Sequence, residues 1–438
     1  MKKFILIITI IFILLIGYVV YVETNKNKIP PLVIENEKVE INNYYIYGTT
    51  LNMEGKLELE VSDFEEIELV MYNENLKIEK DETIEKRFTV IPMNYTQEKN
   101  TISFYISELI NDGLYLDNIK KGEYTMFIRT THKEVIEEEE KTTYKYYSLI
   151  NKTEYNETTY YTMSKYNNKI VINSDNNYKT LMLNITNNED KLDIYDIIID
   201  AGHGGVDPGA TANGYKETDF TLDLAIKLKK SLEKQGLKVM LTRDESTLEE
   251  DEYFEEYGPG GRAQISHEVY SKYLISLHIN SSSSSKVKGL EIYTASDINY
   301  DFAKQLAEEI TTNTGINYSS QKTYKMFNGV YTHNFSEQEI ASSAKKMVDK
   351  GRMPYDITTK SNYLYMIRET GGIMTGAYVD DRNEEQVAND YYNSNIGTES
   401  YLLELCYLTN LSDIEIIKNK QDEYIEAISN TIKDNFIK

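Results

Sequence analysis

Three hydrophobic patterns follow one another along the 438-residue chain. An uncharged apolar stretch occupies residues 4–22, apolar and polar residues alternate from about 39 to 190, and short continuous apolar runs separated by helical patterns follow from 191 to 438. Alternation is typical of half-buried strands, and a continuous apolar run is typical of a strand buried on both faces. The patterns therefore predict three structural regions, with a polar linker at residues 23–38 between the first two.

The first region has the length and the flanking charges of a membrane anchor. A helix over residues 4–22 would span roughly the 30 Å hydrocarbon core, and Lys2 and Lys3 before it favour a cytoplasmic N-terminus. A cleaved signal peptide is the alternative, but the apolar run ends without the small residues of a cleavage site. We therefore expect residues 1–22 to form a single transmembrane helix in the cell membrane, with the large C-terminal part facing outside.

The second region predicts an all-β domain. Residues 56–61 alternate strictly, similar segments recur along 39–190, and Asn, Gly and Asp separate them. This pattern predicts an antiparallel sandwich that acts as an accessory domain and takes no part in chemistry. Tyrosines cluster between Tyr144 and Tyr161. Such tyrosines are more often half-buried strand residues than a sugar-binding surface.

The third region predicts an α/β domain over residues 191–438. Apolar strand patterns at 197–199, 237–241 and 273–278 alternate with helical patterns such as 218–235. This alternation predicts a mostly parallel sheet with helices on both faces. An insert at about 316–361, with a capping box at its centre, interrupts the alternation and is expected to shape the groove.

Candidate chemistry collects where ligands bind in such sheets, beyond the carboxyl ends of strands. His203 follows one predicted strand, His278 ends another, and Glu217 begins a helical pattern. Two imidazoles and one carboxylate, with a fourth position for water, are a ligand set of catalytic Zn²⁺. Glu404 lies in an apolar stretch, where a carboxylate is costly without a partner. It is the candidate base that accepts a proton from zinc-activated water, and Glu369 is a weaker candidate.

Other polar residues have less defined roles. Asn280 is expected to orient substrate or a metal ligand. Arg262 either contacts substrate or, like Arg243, braces a loop. Among the remaining histidines, only His333 in the insert is expected to be able to approach the groove.

The charge balance narrows the possible partners. The formal net charge of −24 argues against a nucleic-acid partner, because phosphate binding needs a basic patch. The single cysteine, Cys406, excludes an intrachain disulfide.

Seven motifs in order carry a resemblance to a known family. They lie at residues 200–210, 216–217, 241–244, 262–263, 276–280, 289–293 and 403–404. Over residues 196–438 the chain resembles the zinc-dependent N-acetylmuramoyl-L-alanine amidases of the cell-wall hydrolase type. The resemblance implies that His203, Glu217 and His278 bind Zn²⁺ and that Glu404 is catalytic. It also implies that the substrate is peptidoglycan, hydrolysed at the amide between N-acetylmuramic acid and L-alanine. The chain departs from the family at Cys406, where glycine is usual.

Two other functions remain open at this point. A catalytically inactive amidase-like protein would bind the wall or activate another hydrolase, although the three ligands and the base are all present. A zinc peptidase of similar α/β layout would use the same ligand types, although the order of the motifs favours the amidase.

Overall fold

The computed structural model describes residues 32–58, 64–77, 84–107, 113–136, 139–174, 180–244, 261–296, 298–349, 359, 361–376 and 394–436. The predicted anchor at residues 1–22 lies outside these ranges. Within them, no helix combines the length and the apolar character needed to cross a membrane.

The strands and helices divide into an all-β region and an α/β region. The strands of the first region are β1 (Ile34–Tyr47), β2 (Thr50–Glu58), β3 (Glu66–Tyr72), β4 (Phe88–Pro92), β5 (Asn94–Glu98), β6 (Thr101–Ile106), β7 (Leu114–Tyr115), β8 (Gly122–Ile136), β9 (Glu139–Asn151), β10 (Glu157–Tyr161), β11 (Asn168–Ser174) and β12 (Leu181–Asn187), with a 3-10 helix at Ile84–Arg87. The strands of the second are β13 (Ile197–Ala201), β14 (Thr211–Ala212), β15 (Tyr215–Lys216), β16 (Val239–Leu241), β17 (Tyr273–Asn280), β18 (Glu291–Tyr293), β19 (Lys325–Phe327), β20 (Val330–Tyr331), β21 (Ile396–Gly397) and β22 (Glu399–Tyr407). Its helices are α1 (Glu217–Lys234), α2 (Ile265–Glu268), α3 (Asp301–Thr314), α4 (Glu337–Asp349), α5 (Tyr365–Thr370), α6 (Leu411–Asn419) and α7 (Gln421–Phe436), with a 3-10 helix at Gly372–Thr375.

The first strand begins inside the segment predicted as a linker. Ile34 and Lys38 of β1 pair with Tyr146 and Ser148 of β9, which gives this polar stretch backbone hydrogen-bond partners. The prediction of a linker over residues 23–38 is therefore wrong at its C-terminal end.

The all-β region is a single folded sheet. Its strands, together with β21, form one thirteen-stranded sheet within the described residues, with the main path β10-β11-β12-β8-β9-β1-β2-β6-β5. Ile170 near one end of this path and Ile102 near the other belong to the same apolar core. The strands agree with the predicted all-β region, but they are connected in one sheet, whereas a sandwich would have two. Tyr146, Tyr147, Tyr160 and Tyr161 are buried, as expected of strand residues that pack in a core.

In the part of the α/β region that the structure describes, seven strands form one sheet in the order β16-β13-β17-β22-β18-β20-β19. Strands β16, β13, β17 and β22 are parallel, whereas β18 runs antiparallel to β22. Helices cover both faces, because Phe302 of α3 packs on Tyr401 of β22 while Thr370 of α5 hydrogen-bonds Ser400. Consecutive residues of a strand face opposite sides of a sheet. The mostly parallel α/β prediction agrees with this arrangement.

The predicted insert at 316–361 is only partly separate from the fold. Strands β19 and β20 extend the sheet at its edge, which the pattern did not predict. Helix α4 begins at the predicted capping box, where the Glu339 carboxylate accepts from the Ser336 N–H at 2.8 Å. The described part of the insert therefore contributes an edge of the sheet and helix α4.

The two regions share buried side chains across the predicted boundary at residue 191. Tyr47 of β1 and Met163, after β10, are buried in the apolar core of the α/β region. Strand β21 pairs in parallel with the end of β1, and the Asn395 side chain hydrogen-bonds Thr158 at 2.9 Å. Residue 191 therefore separates two types of secondary structure, but two residues that precede it, Tyr47 and Met163, belong to the core of the α/β region.

Candidate active site

The loop after β13 turns sharply enough to bring its histidine over the sheet edge. His203 has a φ of 60°, in the left-handed region, and Gly204 and Gly205 follow with positive φ. A Cβ on Gly202 would lie 2.5 Å from Cε1 of His278, so only glycine allows this approach. Gly202 is thus explained by its close approach to the His278 imidazole, whose ring centroid lies 5.0 Å from that of His203.

The three predicted ligands converge. One ligand atom from each of His203, Glu217 and His278 lies within 4.8 Å of the others, and this set is the candidate metal group in the described residues. Nε2 of His203 lies 3.2 Å from one carboxylate oxygen of Glu217, and Nδ1 of His278 lies 3.0 Å from the other. The loop, the first turn of α1 and the end of β17 therefore meet at one point.

Further hydrogen bonds hold these side chains in place. Asp207 accepts from Nδ1 of His203 at 2.8 Å, which leaves Nε2 directed at Glu217. The Glu217 carboxylate also accepts from the backbone N–H groups of Ile279 and Ala210, each at 2.9 Å. Sequence reasoning missed Asp207; its position four residues after His203 was the available signal.

Opposite charges govern the pKa values of these residues. Burial lowers the pKa of His203, but the hydrogen bonds and charges of Glu217 and Asp207 outweigh that effect and raise it to about 9. Burial raises the pKa of Glu217, and the two imidazoles outweigh that effect, so its pKa lies well below the usual range. Attraction between the Glu217 carboxylate and the protonated His203 imidazole therefore stabilises the cluster.

The donor set suits a zinc ion. His and carboxylate are common zinc ligands. Nε2 of His203 and Nδ1 of His278 both face the Glu217 carboxylate, at 3.2 and 3.0 Å from its oxygens. These nitrogens and the carboxylate oxygens could therefore bind one ion between them. The residues present therefore fit Zn²⁺.

The candidate base lies beside this cluster. Glu404 of β22 is the direct register partner of His278 in β17, and direct partners on neighbouring strands point to the same face. Glu404 is half-buried. Glu369, the weaker candidate, is fully buried in α5 and forms an ion pair with Arg368. The next residue, Thr370, hydrogen-bonds Ser400 near the amino end of β22, away from the ligand cluster.

The two arginines have structural contacts. Arg262 is buried, and its Nε donates to Asp200 at 2.7 Å. Asp200 also accepts from the hydroxyl of Ser276. This hydrogen bond between Ser276 and Asp200 links β17 to β13. Arg243 donates to the backbone oxygens of Ala201 and Gly202. These contacts support the alternative in which both arginines brace loops.

His333 is not at the cluster. Its Nε2 lies 3.0 Å from a Glu339 oxygen, and its ring stacks between Tyr324 and Tyr363. The nearby Asn362 side chain donates to the backbone oxygen of Thr294, which follows β18. Because β18 runs antiparallel to β22, Thr294 lies toward the amino end of β22. His333 is therefore held by Glu339 and two tyrosines, and its approach to the groove stays a prediction.

Asn280 lies two residues after His278 and donates to Glu291 at 3.1 Å. Glu291 is a buried carboxylate on β18 that the prediction of the site did not include. Cys406 is also buried, and burial raises the pKa of its thiol.

The C-terminal part of the chain is similar in sequence to known proteins. Residues 197–434 match the model of the family described as N-acetylmuramoyl-L-alanine amidase. A putative N-acetylmuramoyl-L-alanine amidase of Buchnera aphidicola subsp. Acyrthosiphon pisum (strain APS) is 28% identical over 255 residues, which are 54% of this chain and 90% of the relative. The sporulation-specific N-acetylmuramoyl-L-alanine amidase of Bacillus subtilis is 34% identical over 104 residues, 23% of this chain and 36% of the relative.

Several other relatives are matched over only part of their length. The probable cell wall amidase LytH of Staphylococcus saprophyticus is 33% identical over 117 residues, 26% of this chain and 36% of the relative. A second Buchnera relative, from the subspecies Baizongia pistaciae, is covered over 42% of its length. Among solved structures, the catalytic domain of CwlV from Bacillus (Paenibacillus) polymyxa var. colistinus is 21% identical with a TM-score of 0.35, over 54% of this chain and 96% of that one.

Proposed function

Because the chain belongs to the N-acetylmuramoyl-L-alanine amidase family, we propose that it hydrolyses the amide between N-acetylmuramic acid and L-alanine in peptidoglycan. One observation carries this proposal: His203, Glu217 and His278 converge within 4.8 Å, and Glu404 is in register with His278 on the next strand. Three ligands and a separate carboxylate are the parts that metal-assisted amide hydrolysis requires.

His203, Glu217 and His278 would hold Zn²⁺. Zinc bound there would lower the pKa of water and polarise the amide carbonyl. Asp207 fixes the tautomer of His203 through its bond to Nδ1, and the N–H groups of Ile279 and Ala210 hold the carboxylate of Glu217.

Glu404 is proposed to move the proton. Its carboxylate oxygen accepts a proton from the attacking water while the water oxygen bonds to the amide carbon. The C–N bond then breaks, and Glu404 returns the proton to the nitrogen of the leaving L-alanine. No net proton is gained or lost by the protein, so Glu404 is ready for the next cycle.

The test is digestion of purified muropeptides by the full-length chain in detergent, followed by mass spectrometry. Release of intact stem peptides together with peptide-free glycan is the expected result. The matched control is Glu404→Gln, which keeps the size of the side chain but cannot accept the proton. Cleavage between amino acids of the stem would establish a zinc peptidase instead, and no cleavage by a zinc-loaded protein would support a wall-binding or activator role.

We also propose that residues 1–22 anchor the protein in the cell membrane as a single span, with the catalytic region outside. The apolar stretch at residues 4–22 and the preceding Lys2 and Lys3 support this orientation. Protease added to wall-stripped cells should degrade the large domain. Its protection there, or a mature form that starts near residue 23, would contradict the proposal.

A further inference from the structure

The motif Gly289–Tyr293 supplies neither a ligand nor the base, yet it contributes a buried carboxylate next to the base. Glu291 of β18 is 1% exposed, and it is the direct register partner of Glu404 in β22. His278, Glu404 and Glu291 therefore form one row across three neighbouring strands. Because direct partners share a face, all three side chains lie on the same side of the sheet.

Both oxygens of Glu291 are saturated by donors from separate elements. Oε2 accepts from Nδ2 of Asn280 at 3.1 Å and from the Tyr293 hydroxyl at 2.8 Å. Oε1 accepts from the hydroxyls of Ser319 and Tyr407, each at 2.5 Å. A buried carboxylate is tolerated when hydrogen bonds replace its hydration, and bonds to a charged acceptor are the stronger kind. This carboxylate therefore ties β17, β18, β22 and the residues before β19 together.

Two of these donors lie across an irregularity in the sheet. In the pairing of β17 with β22, His278 opposes Glu404, but the next pair is Asn280 with Tyr407. Two steps along β17 correspond to three steps along β22, so β22 carries one extra residue between Glu404 and Tyr407. Such a bulge bends a strand and redirects its side chains, and it needs contacts to hold it because the backbone ladder is interrupted.

Glu291 joins the two residues that close the bulge. Asn280 and Tyr407 are the first register pair beyond the extra residue, and both side chains donate to the same carboxylate. Asp413 supports the same point by accepting from the Tyr407 N–H at 3.0 Å. The direction in which the Glu404 side chain points thus depends on this bulge. The bulge is held in place by Glu291 of the neighbouring strand.

We propose that Glu291 is a positioning residue that fixes the bulge after Glu404 and thereby holds the base beside the metal ligands. This inference rests on the proposed amidase function for its catalytic consequence, but the fastening of the bulge is a structural statement by itself. A displacement of a catalytic group by about 1 Å can cost roughly 100-fold in rate. Loss of the carboxylate should therefore affect turnover more than binding.

The test compares Glu291→Gln with the wild-type chain. Glutamine keeps the size of the side chain, but its NH₂ group faces donors that need an acceptor. We expect kcat to fall about 10- to 100-fold while KM changes less than about 3-fold and the zinc content is unchanged. Tyr407→Phe, which removes one of the four donors, should lower kcat by a smaller factor. If Glu291→Gln does not fold, Tyr407→Phe takes its place in the test. A fall in kcat with little change in KM in that variant would support the inference, and an unchanged kcat would overturn it.

Glu399→Gln is the matched control. Glu399 is a buried carboxylate at the opposite end of β22, where it accepts from the Tyr401 hydroxyl. Its replacement should lower the melting temperature by an amount similar to that of Glu291→Gln but leave kcat within about 2-fold. An equal loss of kcat in both variants, or full turnover in Glu291→Gln, would overturn the inference.

A second measurement does not depend on activity. Backbone amide exchange over residues 405–407 should accelerate in Glu291→Gln and stay unchanged in Glu399→Gln, because only the first variant releases the bulge. Unchanged exchange there in a folded Glu291→Gln variant would refute the positioning role. If the wild-type chain cleaves no muropeptide, the proposed function fails, whereas the exchange result still decides whether Glu291 fastens the bulge.

Discussion

Replacing Tyr47 by alanine should destabilise the α/β region, although Tyr47 ends the first strand of the all-β region. The side chain is fully buried and belongs to the apolar core formed around β13, β17 and β22. Its hydroxyl accepts from the Ser400 N–H at 3.2 Å. The core of the region from residue 191 onward therefore includes a side chain that lies more than a hundred positions earlier in the chain.

The magnitude follows from these contacts. Removing a buried aromatic ring costs about 3–5 kcal/mol through lost burial and the cavity left behind. Tyr47→Phe keeps the ring and removes the hydroxyl that accepts from Ser400, so it should cost about 1 kcal/mol. Since domains are stable by only about 5–15 kcal/mol, the alanine variant should lose a large part of the total.

Hydrogen exchange read by mass spectrometry locates the effect. In Tyr47→Ala, amides of β17 and β22 should exchange about 100-fold faster or more, because every 1.4 kcal/mol corresponds to a factor of ten. Tyr144→Ala is the control: Tyr144 also lies in the all-β region but is 41% exposed, and its removal should change stability by less than about 0.5 kcal/mol.

Acceleration confined to the all-β strands, with β17 and β22 at their wild-type rates, would refute this reasoning. So would a fragment of residues 191–438 that folds with the stability of the intact chain. Either result would restore the sequence-based expectation of an independent accessory module.

Three further predictions concern the site and its surroundings. His203→Ala should lose most of the one zinc ion expected per chain, and elemental analysis showing no metal in active wild-type protein would contradict the ligand set. Glu404→Gln should retain zinc, but its rate of hydrolysis should fall about 100- to 10,000-fold. Near-full activity in that variant, together with an inactive Glu369→Gln variant, would identify Glu369 as the base. Burial lowers the pKa of His267 to about 4, below its value of about 6.5 in the unfolded chain, so the unfolded state binds more protons between these pH values. Stability should therefore fall as the pH drops from 6.5 to 4, and urea titrations of His267→Gln should show a flatter profile in that window.

The sequence by itself was sufficient to predict that His203, Glu217 and His278 converge, and to predict the type of domain that carries them. His203 and His278 each follow an apolar run, and the carboxyl ends of parallel strands meet at one edge of a sheet. The local patterns therefore specified both the strands and the meeting point of their last residues. The helix that begins at Glu217 was visible for the same reason, because the spacing of apolar residues along a helix is a local property.

Only the tertiary structure decided how distant strands are paired. Strand β22 pairs with β17 and β18, which lie more than a hundred residues earlier in the chain. This pairing sets the antiparallel direction of β18 and the bulge after Glu404. It also buries Glu291 between its four donors. The entry of Tyr47 into the α/β core depends on packing between two regions that have different patterns. A hydrophobic pattern predicts that a residue is buried, but it does not predict which surface the residue packs against. That choice is made by the fit of complete elements, and here it joins the two regions and fixes the strand that carries the candidate base, Glu404.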